Sequence, residues 1–508
     1  MKRTAPIWAA LLACLAAGCH SVKFGDVVIG PYDPDRPVVL AKFGAPERAI
    51  LRPAPEPEPE PPSSPPLDVL DGPAQLIDLE TALRLGGADN PTIAIAEEAV
   101  RVSVAEQTQA RALILPDLNA GANLRIHRGA YMDNAGNIIN VNVQSLYFGG
   151  GTYAVGSGTV AIPGIRLFGN PADAIYAPKA AAQRVVQTRF DAAATRHYTL
   201  MDIGVRYLAL VEAQASLEAY RQSLKDIEEV VRLTTNHAKA GLGRDSDAKR
   251  AAAEALLLRG QAQTAREALG VAAAELARLL DIDPSQNLRP ADLVPPLLEL
   301  VDGRVPLEAL LDQALAEHPE IVARTAEVNV QNIRVRQEKA RLWLPLVSIG
   351  MSAGGFGGGN QNSDPRLQNF GSRTDFDVAL VWSLRNLGVG NDATIGIARS
   401  GLEQAQLERM RVLDRIRREV GEAHALAQQR RQQMDIARKR LETSHNAYVQ
   451  DLKRIRNQKG LPIEVLQSAN QLTAARLDLV RAMIGYSQAQ MQLYTALGNP
   501  PMVRRPAP

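Results

Sequence analysis

The chain repeats itself, and this duplication limits its possible folds more than any other feature of the 508 residues. Five matches occur in the same order in both halves, at offsets of 228, 228, 229, 219 and 219 residues: Leu79-Glu80-Thr81-Ala82-Leu83 with Leu307-Glu308-Ala309-Leu310, Asn90-Pro91 with His318-Pro319, Leu115-Pro116 with Leu344-Pro345, Leu167-Phe168-Gly169 with Asn386-Leu387-Gly388, and Gly241-Leu242 with Gly460-Leu461. The offset falls by ten only between Pro116 and Gly169. The first copy therefore carries ten extra residues there and is otherwise collinear with the second.

Each copy opens with a predicted helix that begins at a proline. Proline is favoured at the first helical position, and Asn90 before Pro91 is a good N-cap. The helices are predicted to end at Pro116 and Pro345, since proline cannot continue a helix.

An alternating segment follows each helix. Leu118 to His127 and Phe376 to Leu384 (with Trp382) alternate between apolar and polar or small residues, the period of a strand with two different faces. Two Gly- and Asn-rich segments, Asp133–Asn137 and Gly354–Asn360, are predicted as loops. The resulting hairpin zones, 116–170 and 345–388, hold five of the eight Phe of a chain with only 4% aromatic residues. Aromatics concentrated in this way fit the interfacial girdles of a membrane barrel.

A very long helix is predicted after each hairpin. Residues 174–240 contain no proline except Pro178 and no glycine except Gly204, and apolar residues recur every seven positions from Ile203 to Val231. One helix of this length spans roughly 100 Å. Gly241-Leu242-Gly243 then predicts a turn into a returning helix that ends near Leu280. The second copy turns at Gly460-Leu461-Pro462 and returns to Leu497.

The N-terminus predicts export. Met1-Lys2-Arg3 and a short apolar run predict a signal peptide at residues 1–18, with Ala16-Ala17-Gly18 before Cys19. This pattern is similar to a bacterial lipobox with Cys19 as the acylated residue, and His20 after it favours sorting to the Gram-negative outer membrane. An ordinary signal peptide with an incidental cysteine is the alternative. Residues 19–75 are then a lipidated N-terminus with a Pro/Glu-rich linker.

Composition argues against several functions. A net charge of +2 gives no indication of nucleic-acid binding. The glycine runs lack the lysine of a phosphate-binding loop, and the seven histidines lack metal-ligand spacing, so we expect no cofactor, no metal site and no enzyme. We find no further apolar run of eighteen residues, so a membrane crossing would fall to the strands.

Two hairpins provide four strands, which cannot close a barrel. An open sheet edge facing lipid leaves backbone groups unpaired at a cost of several kcal/mol each, so several copies must pool their strands. Three copies give twelve strands, within the known range of membrane barrels, whereas two give eight, and the interior of an eight-stranded barrel is filled by side chains and could not conduct anything large. The fold class predicted is therefore mainly α with a transmembrane β-barrel contribution, built from two helix–β-hairpin–long-helix repeats in a trimeric α/β-barrel duct.

In these features the chain resembles the TolC/OprM family of outer-membrane factors over about residues 75–500, with repeats at 76–285 and 303–500. The resemblance implies a homotrimer that serves as the exit duct of a tripartite efflux or type I secretion system. It also implies a periplasmic adaptor and an inner-membrane pump as partners, and lipid around the barrel. A periplasmic coiled-coil scaffold or a pump adaptor is the alternative function.

The resemblance also assigns roles to the turns. Family adaptors dock at such turns, which implies docking at Gly241-Leu242-Gly243 and Gly460-Leu461-Pro462. Acids just past the turns line the closed periplasmic mouth in the family, which implies gate roles for Glu464 and Asp247, whereas Gln467 replaces a second acid found in some members and weakens any acidic ring. Alternatively, Asp245 and Asp247 are N-caps and Glu464 is a first-turn acid favoured by the helix dipole.

Overall fold

The computed structural model describes residues 72–154, 160–292, 294–360, 364–457 and 459–501. Eight helices lie in these ranges: α1 Leu79–Asp89, α2 Pro91–Ala112, α3 Pro171–Lys239, α4 Asp245–Leu279, α5 Leu307–Glu317, α6 Pro319–Arg341, α7 Val389–Arg456 and α8 Pro462–Ala496. Nine strands lie there too: β1 Ala74–Ile77, β2 Asp117–Leu118, β3 Ala120–Met132, β4 Ile138–Ala154, β5 Val160–Pro163, β6 Ile165–Gly169, β7 Asn287–Pro290, β8 Leu346–Asn360 and β9 Asp364–Val381. The order repeats the predicted unit twice.

The short helices begin where the prolines predict. Asn90 caps α2, its side chain accepting from Thr92 N at 2.9 Å, and Nδ1 of His318 accepts from Glu320 N at 3.3 Å to cap α6. Both helices end four residues before the next proline rather than at it. Each ends in a turn whose first residue, Leu113 or Leu342, still has helical φ and ψ.

The long helices are confirmed at 69 residues for α3 and 68 for α7. They pack side by side in the order α4–α3–α8–α7, so that α3 and α8 are the central pair and α4 and α7 lie at the two free edges. In the opposite direction from the turns, α2 and α6 pack on α3, and α6 also packs on α7. In the described parts of the chain, no helix combines the length and apolarity that crossing a membrane requires.

Seven strands form one sheet, namely β2 to β6 together with β8 and β9. In one half of it the order is β3–β4–β8–β9, and in the other half β2–β6–β8–β9. The predicted first strand is thus two strands, broken at Asn119. A separate parallel pair, β1–β7, joins the start of the first repeat to the segment that follows it.

The sheet has two different faces. Apolar side chains on one face are exposed, among them Leu124, Phe148, Met351, Phe376 and Val378. The other face carries polar residues, and the pairing of β8 with β9 places Arg373 and Asp375 there. An exposed apolar face of this extent needs a cover of lipid or protein, since water would hydrate it at a free-energy cost.

Two details of the hairpin prediction are wrong. Gly354–Asn360 is the end of strand β8 and not a loop. Its glycines leave room for the backbone and the aromatic rings of the neighbouring strands β4 and β9. A Cβ on Gly354 would lie 2.4 Å from the Phe148 carbonyl oxygen, and one on Gly357 would lie 2.6 Å from the Phe370 ring. Strand β9 ends at Val381, so Trp382 and Leu384 lie beyond it. The loop predicted at Asp133–Asn137 is confirmed as the β3–β4 turn.

Candidate functional site

The turn between α3 and α4 is set by the backbone. Gly241 has a φ of +71°, a left-handed conformation that glycine adopts without the Cβ penalty. Leu242 N donates to His237 O at 2.8 Å and Gly241 N to Ala238 O at 3.1 Å, the two hydrogen bonds of a Schellman motif. Leu242 itself is 61% exposed at the tip.

The turn between α7 and α8 repeats this geometry. Lys459 N donates to Arg454 O at 2.9 Å, as Leu242 N does to His237 O. Gly460 packs against the last turn of its helix, where an added Cβ would lie 3.0 Å from Arg454 Cβ. The corresponding distance at Gly243 is 3.2 Å, to His237 Cβ.

These contacts change the alignment of the two turns. Gly460 corresponds to Gly243, and Leu461, the N-cap of α8, corresponds to Arg244, the N-cap of α4. The offset at the turns is therefore 217 and not the 219 given by matching Gly241-Leu242 to Gly460-Leu461. The predicted pair of acids survives this shift, because Glu464 and Asp247 both occupy the third position of their helices. Gln467 corresponds to Arg250, and it is exposed.

Glu464 lies in a capping arrangement at the start of α8. Its Oε2 accepts from Leu461 N at 3.3 Å, and Arg454 Nη1 lies 3.5 Å from the same oxygen. A first-turn acid is favoured there by the helix dipole, and Pro462 at the first position completes the helix start.

Asp247 pairs with Arg250 at 3.6 Å, and its neighbour Asp245 pairs with Lys249 at 2.8 Å. Arg244 is the N-cap of α4, and it makes no side-chain cap hydrogen bond. The expectation that Asp245 or Asp247 caps α4 is therefore wrong, and both are first-turn acids like Glu464.

The turn end is basic overall. Residues 237–250 and 451–464 contain eight Lys or Arg and four Asp or Glu. Each of the two candidate gate acids has an arginine within 4 Å. A multivalent cation would have to displace these arginines, so the local field opposes cation binding.

Above the turns, an apolar cluster joins all four long helices. Its buried members include Ile227 and Val230 of α3, Leu258 of α4, and Tyr448 and Ile455 of α7, with Val465, Leu466, Ala469 and Leu472 of α8. This packing fixes the two turns relative to each other, because the returning helix α8 of the second repeat is held against α3 of the first.

Two ion pairs link the repeats beside this cluster. Arg476 Nη1 of α8 lies 2.7 Å from Asp226 Oδ2 of α3 and donates to Ser223 Oγ at 3.0 Å, and both charged side chains are less than 20% exposed. Arg456 of α7 lies 2.9 Å from Glu229 of α3 in a more exposed pair. Hydrogen bonds from Arg232, and then from Arg456, lower the pKa of Glu229 below its ordinary value.

The same environment acts on Tyr448. Burial, and then the charge of Asp226, raises the pKa of Tyr448 to about 12, and its hydroxyl donates to Asp226 O at 3.2 Å. The phenol is therefore a neutral donor at physiological pH.

Sequence reasoning missed these links because it had no signal for which helices are neighbours. The one hint available was that Arg476 lies between the apolar residues Ala475 and Leu477. A buried arginine requires a partner.

The described residues contain no cluster of three or more His, Cys, Asp or Glu that could hold a metal ion. The predicted lipidation residue, Cys19, and the predicted signal peptide lie outside the described residues.

Residues 310–499 match the family model described as outer membrane efflux protein. No curated protein matches the chain.

Solved structures match over most of the chain. The outer-membrane channel OprN has a TM-score of 0.67 at 16% identity, covering 83% of this chain and 90% of its own. The Campylobacter jejuni CmeC outer membrane channel has a TM-score of 0.66 at 14% identity, with coverages of 83% and 85%. The outer membrane protein VceC from Vibrio cholerae has a TM-score of 0.63 at 15% identity, with coverages of 83% and 96%.

The predicted resemblance is thus confirmed in fold, and over the second repeat in sequence. Residues 310–499 are similar in sequence to the outer membrane efflux protein family, and the chain shares its fold with solved outer-membrane channels.

Proposed function

We propose that this protein is a passive exit duct in the Gram-negative outer membrane, working as a homotrimer with a periplasmic adaptor and an inner-membrane pump. One observation carries the proposal: a four-stranded sheet with an exposed apolar face continues into helices about 100 Å long. Within the described residues, the edge strands β3 and β9 each have one ladder partner. Such edges and such a face need further copies and lipid to cover them.

Ring closure is supported by the helices as well as by the sheet. The free edges of the helical layer are α4 on one side and α7 on the other, and each carries exposed apolar residues, such as Leu257 on α4 and Ile436 on α7. Contact between unlike edges is head-to-tail, and it closes when the rotation per subunit divides a full turn.

Membrane fractionation and conductance test the duct. We expect the protein to require detergent for extraction, to run as a heat-modifiable trimer, and to form ion-conducting pores in planar bilayers. Extraction by salt or buffer alone would contradict the duct and favour a periplasmic scaffold or adaptor.

We also propose that the adaptor docks on the two turns, at Gly241-Leu242-Gly243 and Gly460-Leu461-Pro462. Support comes from the exposed Leu242 and Leu461, both 61% exposed at the tips of otherwise well-packed hairpins. Leu242→Asp and Leu461→Asp should reduce adaptor cross-linking while leaving trimer formation intact. Val294→Asp, a charge at a residue that is 70% exposed and lies outside both turns and both free edges of the helical layer, is the matched control for the added charge.

For the periplasmic mouth, Glu464 and Asp247 are the residues we propose to line the gate, with Gln467 next to them. Because the surroundings are basic, block by multivalent cations is expected to be weak, and what block there is should depend on the charge of Glu464. Glu464→Ala should weaken block by multivalent cations, and the isosteric Glu464→Gln separates charge from shape. Unchanged block in both variants would remove Glu464 from the gate.

Cys19 is proposed as the site of lipid attachment. Labelling with a palmitate analogue should mark the wild type and not Cys19→Ser. Labelling of both proteins equally would contradict this assignment.

A further inference from the structure

One strand position in the sheet, next to β8, is occupied by two separate strands, β4 and β6. Strand β4 pairs with β8 as far as Gly150 opposite Ala353, and β6 resumes the pairing at Ile165 opposite Met351. Between these pairs β8 has only Ser352, whose Oγ accepts from Gly164 N at 3.4 Å. The chain therefore leaves this strand position after Gly150 and returns to it at Gly164. We call the two described limbs, residues 151–154 and 160–163, the excursion.

The base of the excursion is closed by Asn119. Gly151 N donates to Asn119 O at 2.9 Å, and Asn119 N donates to Gly164 O at 2.7 Å. The Asn119 side chain adds a hydrogen bond to Pro163 O at 3.0 Å. The two limbs pair with each other, Thr152 lying opposite Ile162. The two limbs of the excursion are thus held together and fixed at their base by hydrogen bonds.

Contacts of the excursion show which face of the sheet it covers. Tyr147, only 1% exposed, packs with Val160 of the excursion and with Phe356. A Cβ on Gly350 would lie 2.7 Å from Pro163 Cγ, and one on Gly121 would lie 2.3 Å from Thr152 Cγ2. Space for the excursion is therefore made by glycines on this face.

The ladder pairings identify this face as the polar one. Tyr147 lies opposite Phe356, and Gly350 opposite Asp377. Because side chains alternate along a strand, Gly350 and Phe356 share a face with Ser352 and Gly354, whose partners are Asp375 and Arg373. The exposed apolar residues Phe148 and Phe376 point to the opposite side. A barrel built from this sheet with the apolar face toward lipid holds its polar face, and the excursion, inside.

We infer that the excursion projects into the lumen of the strand barrel, where one copy from each subunit forms an uncharged constriction that sieves solutes. The inference rests on the proposed duct. The excursion contains no charged residue, and its Tyr153 and Ile162 are 46% and 42% exposed. A narrow neutral ring hinders ions because they must shed water without a compensating charge. Strand β9 of the second repeat pairs along β8 without such an interruption, so a trimer has three excursions rather than six.

Removal of the excursion tests the constriction in the full-length protein. Joining Gly150 to Gly164 preserves the register, since one residue then faces Ser352. We expect the trimer lacking residues 151–163 to conduct at least about twofold more than the wild type in planar bilayers, as a widened pore should. Trimer formation is checked by the heat-modifiable band.

A pair of point variants tests the same inference without shortening the chain. Ile162→Asp puts one negative charge per subunit, three per trimer, in the lumen. Asn has nearly the same shape as Asp and no charge, so Ile162→Asn is the matched control. Only Ile162→Asp should shift the reversal potential in a salt gradient toward cation selectivity.

The outcomes separate the two proposals. A wild type without conductance would remove the duct and this inference with it. A conducting wild type with unchanged conductance in the deletion variant, and equal reversal potentials for Ile162→Asp and Ile162→Asn, would overturn the constriction alone. If the deletion variant does not form trimers, the point variants decide.

Discussion

The two repeats have the same architecture, and they differ where each makes a particular contact. At the start of its second helix the first repeat has Asn90, whose Nδ2 donates to Leu279 O at 2.9 Å. The second has His318 there, 2% exposed and packed against the left-handed Gly498. The backbone role is shared, and the side chains differ in whether they can take up a proton. Duplication thus preserved the geometry and let the chemistry diverge.

The largest effect is expected from making the second cap resemble the first. Burial, then the charges of Arg415 and His197, lowers the pKa of His318 from 6.5 to about 4. As the pH falls through this range the unfolded chain takes up a proton and the folded chain does not, so stability is lost toward acid. The loss of unfolding free energy approaches about 3 kcal/mol once the pH is below both pKa values. His318→Asn keeps the cap and should flatten the pH dependence of the urea midpoint between these values.

His445→Asn is the control for that experiment, because His445 is exposed on α7. Its pH profile should match that of the wild type. A steep acid loss that persists in His318→Asn would place the sensitivity elsewhere.

A smaller effect distinguishes the two ion pairs that join the repeats. Arg476→Ala leaves the largely buried Asp226 without its cation and should lower the unfolding free energy by about 2 kcal/mol. Arg456→Ala removes the more exposed pair and should cost less than about 1 kcal/mol. Chemical denaturation of both variants measures the difference, and equal losses would contradict the ranking by burial.

The smallest effect concerns the ends of the returning helices. Asp281 has a φ of +55° where the second repeat has Gly498 at +84°. Asp281→Gly should stabilise the protein by about 0.5–1 kcal/mol, since glycine adopts this conformation without strain. A rise in melting temperature checks it. No rise, or a fall, would show that the Asp281 side chain contributes more than its backbone strain costs.

Local signals explain what the sequence predicted well. The Asn-Pro and His-Pro helix starts, the long helices and their glycine turns depend on neighbours in the chain, and these predictions agree with the structure. The ten extra residues of the first copy fall in the zone that contains the excursion. Which face the excursion covers depends on contacts such as Pro163 with Gly350, and no local pattern reveals those.

Non-local packing explains what it predicted badly. The glycines between 354 and 359 are typical of a loop, and only the rings of Phe148 and Phe370 beside them show why a strand needs glycine there. At the candidate site the sequence predicted both turns and their acids. The alignment of the two turns was wrong by two residues, because the pair Gly-Leu occurs at non-equivalent positions in them. The Arg476–Asp226 link needs knowledge of which helices are neighbours.

The parallel pair of β1 and β7 has a mechanical consequence. Ala74 to Ile77 pair with Asn287 to Pro290, and Ala291 N adds a hydrogen bond to Ile77 O at 2.8 Å. A pull on the residues before Ala74 loads these backbone hydrogen bonds together, in shear along the strands. The force then passes to the segment after β7 without unwinding α1. The β1–β7 pair joins the start of the first repeat to the segment after its end. A tether at the N-terminus can therefore bear tension while the helical layer keeps its shape.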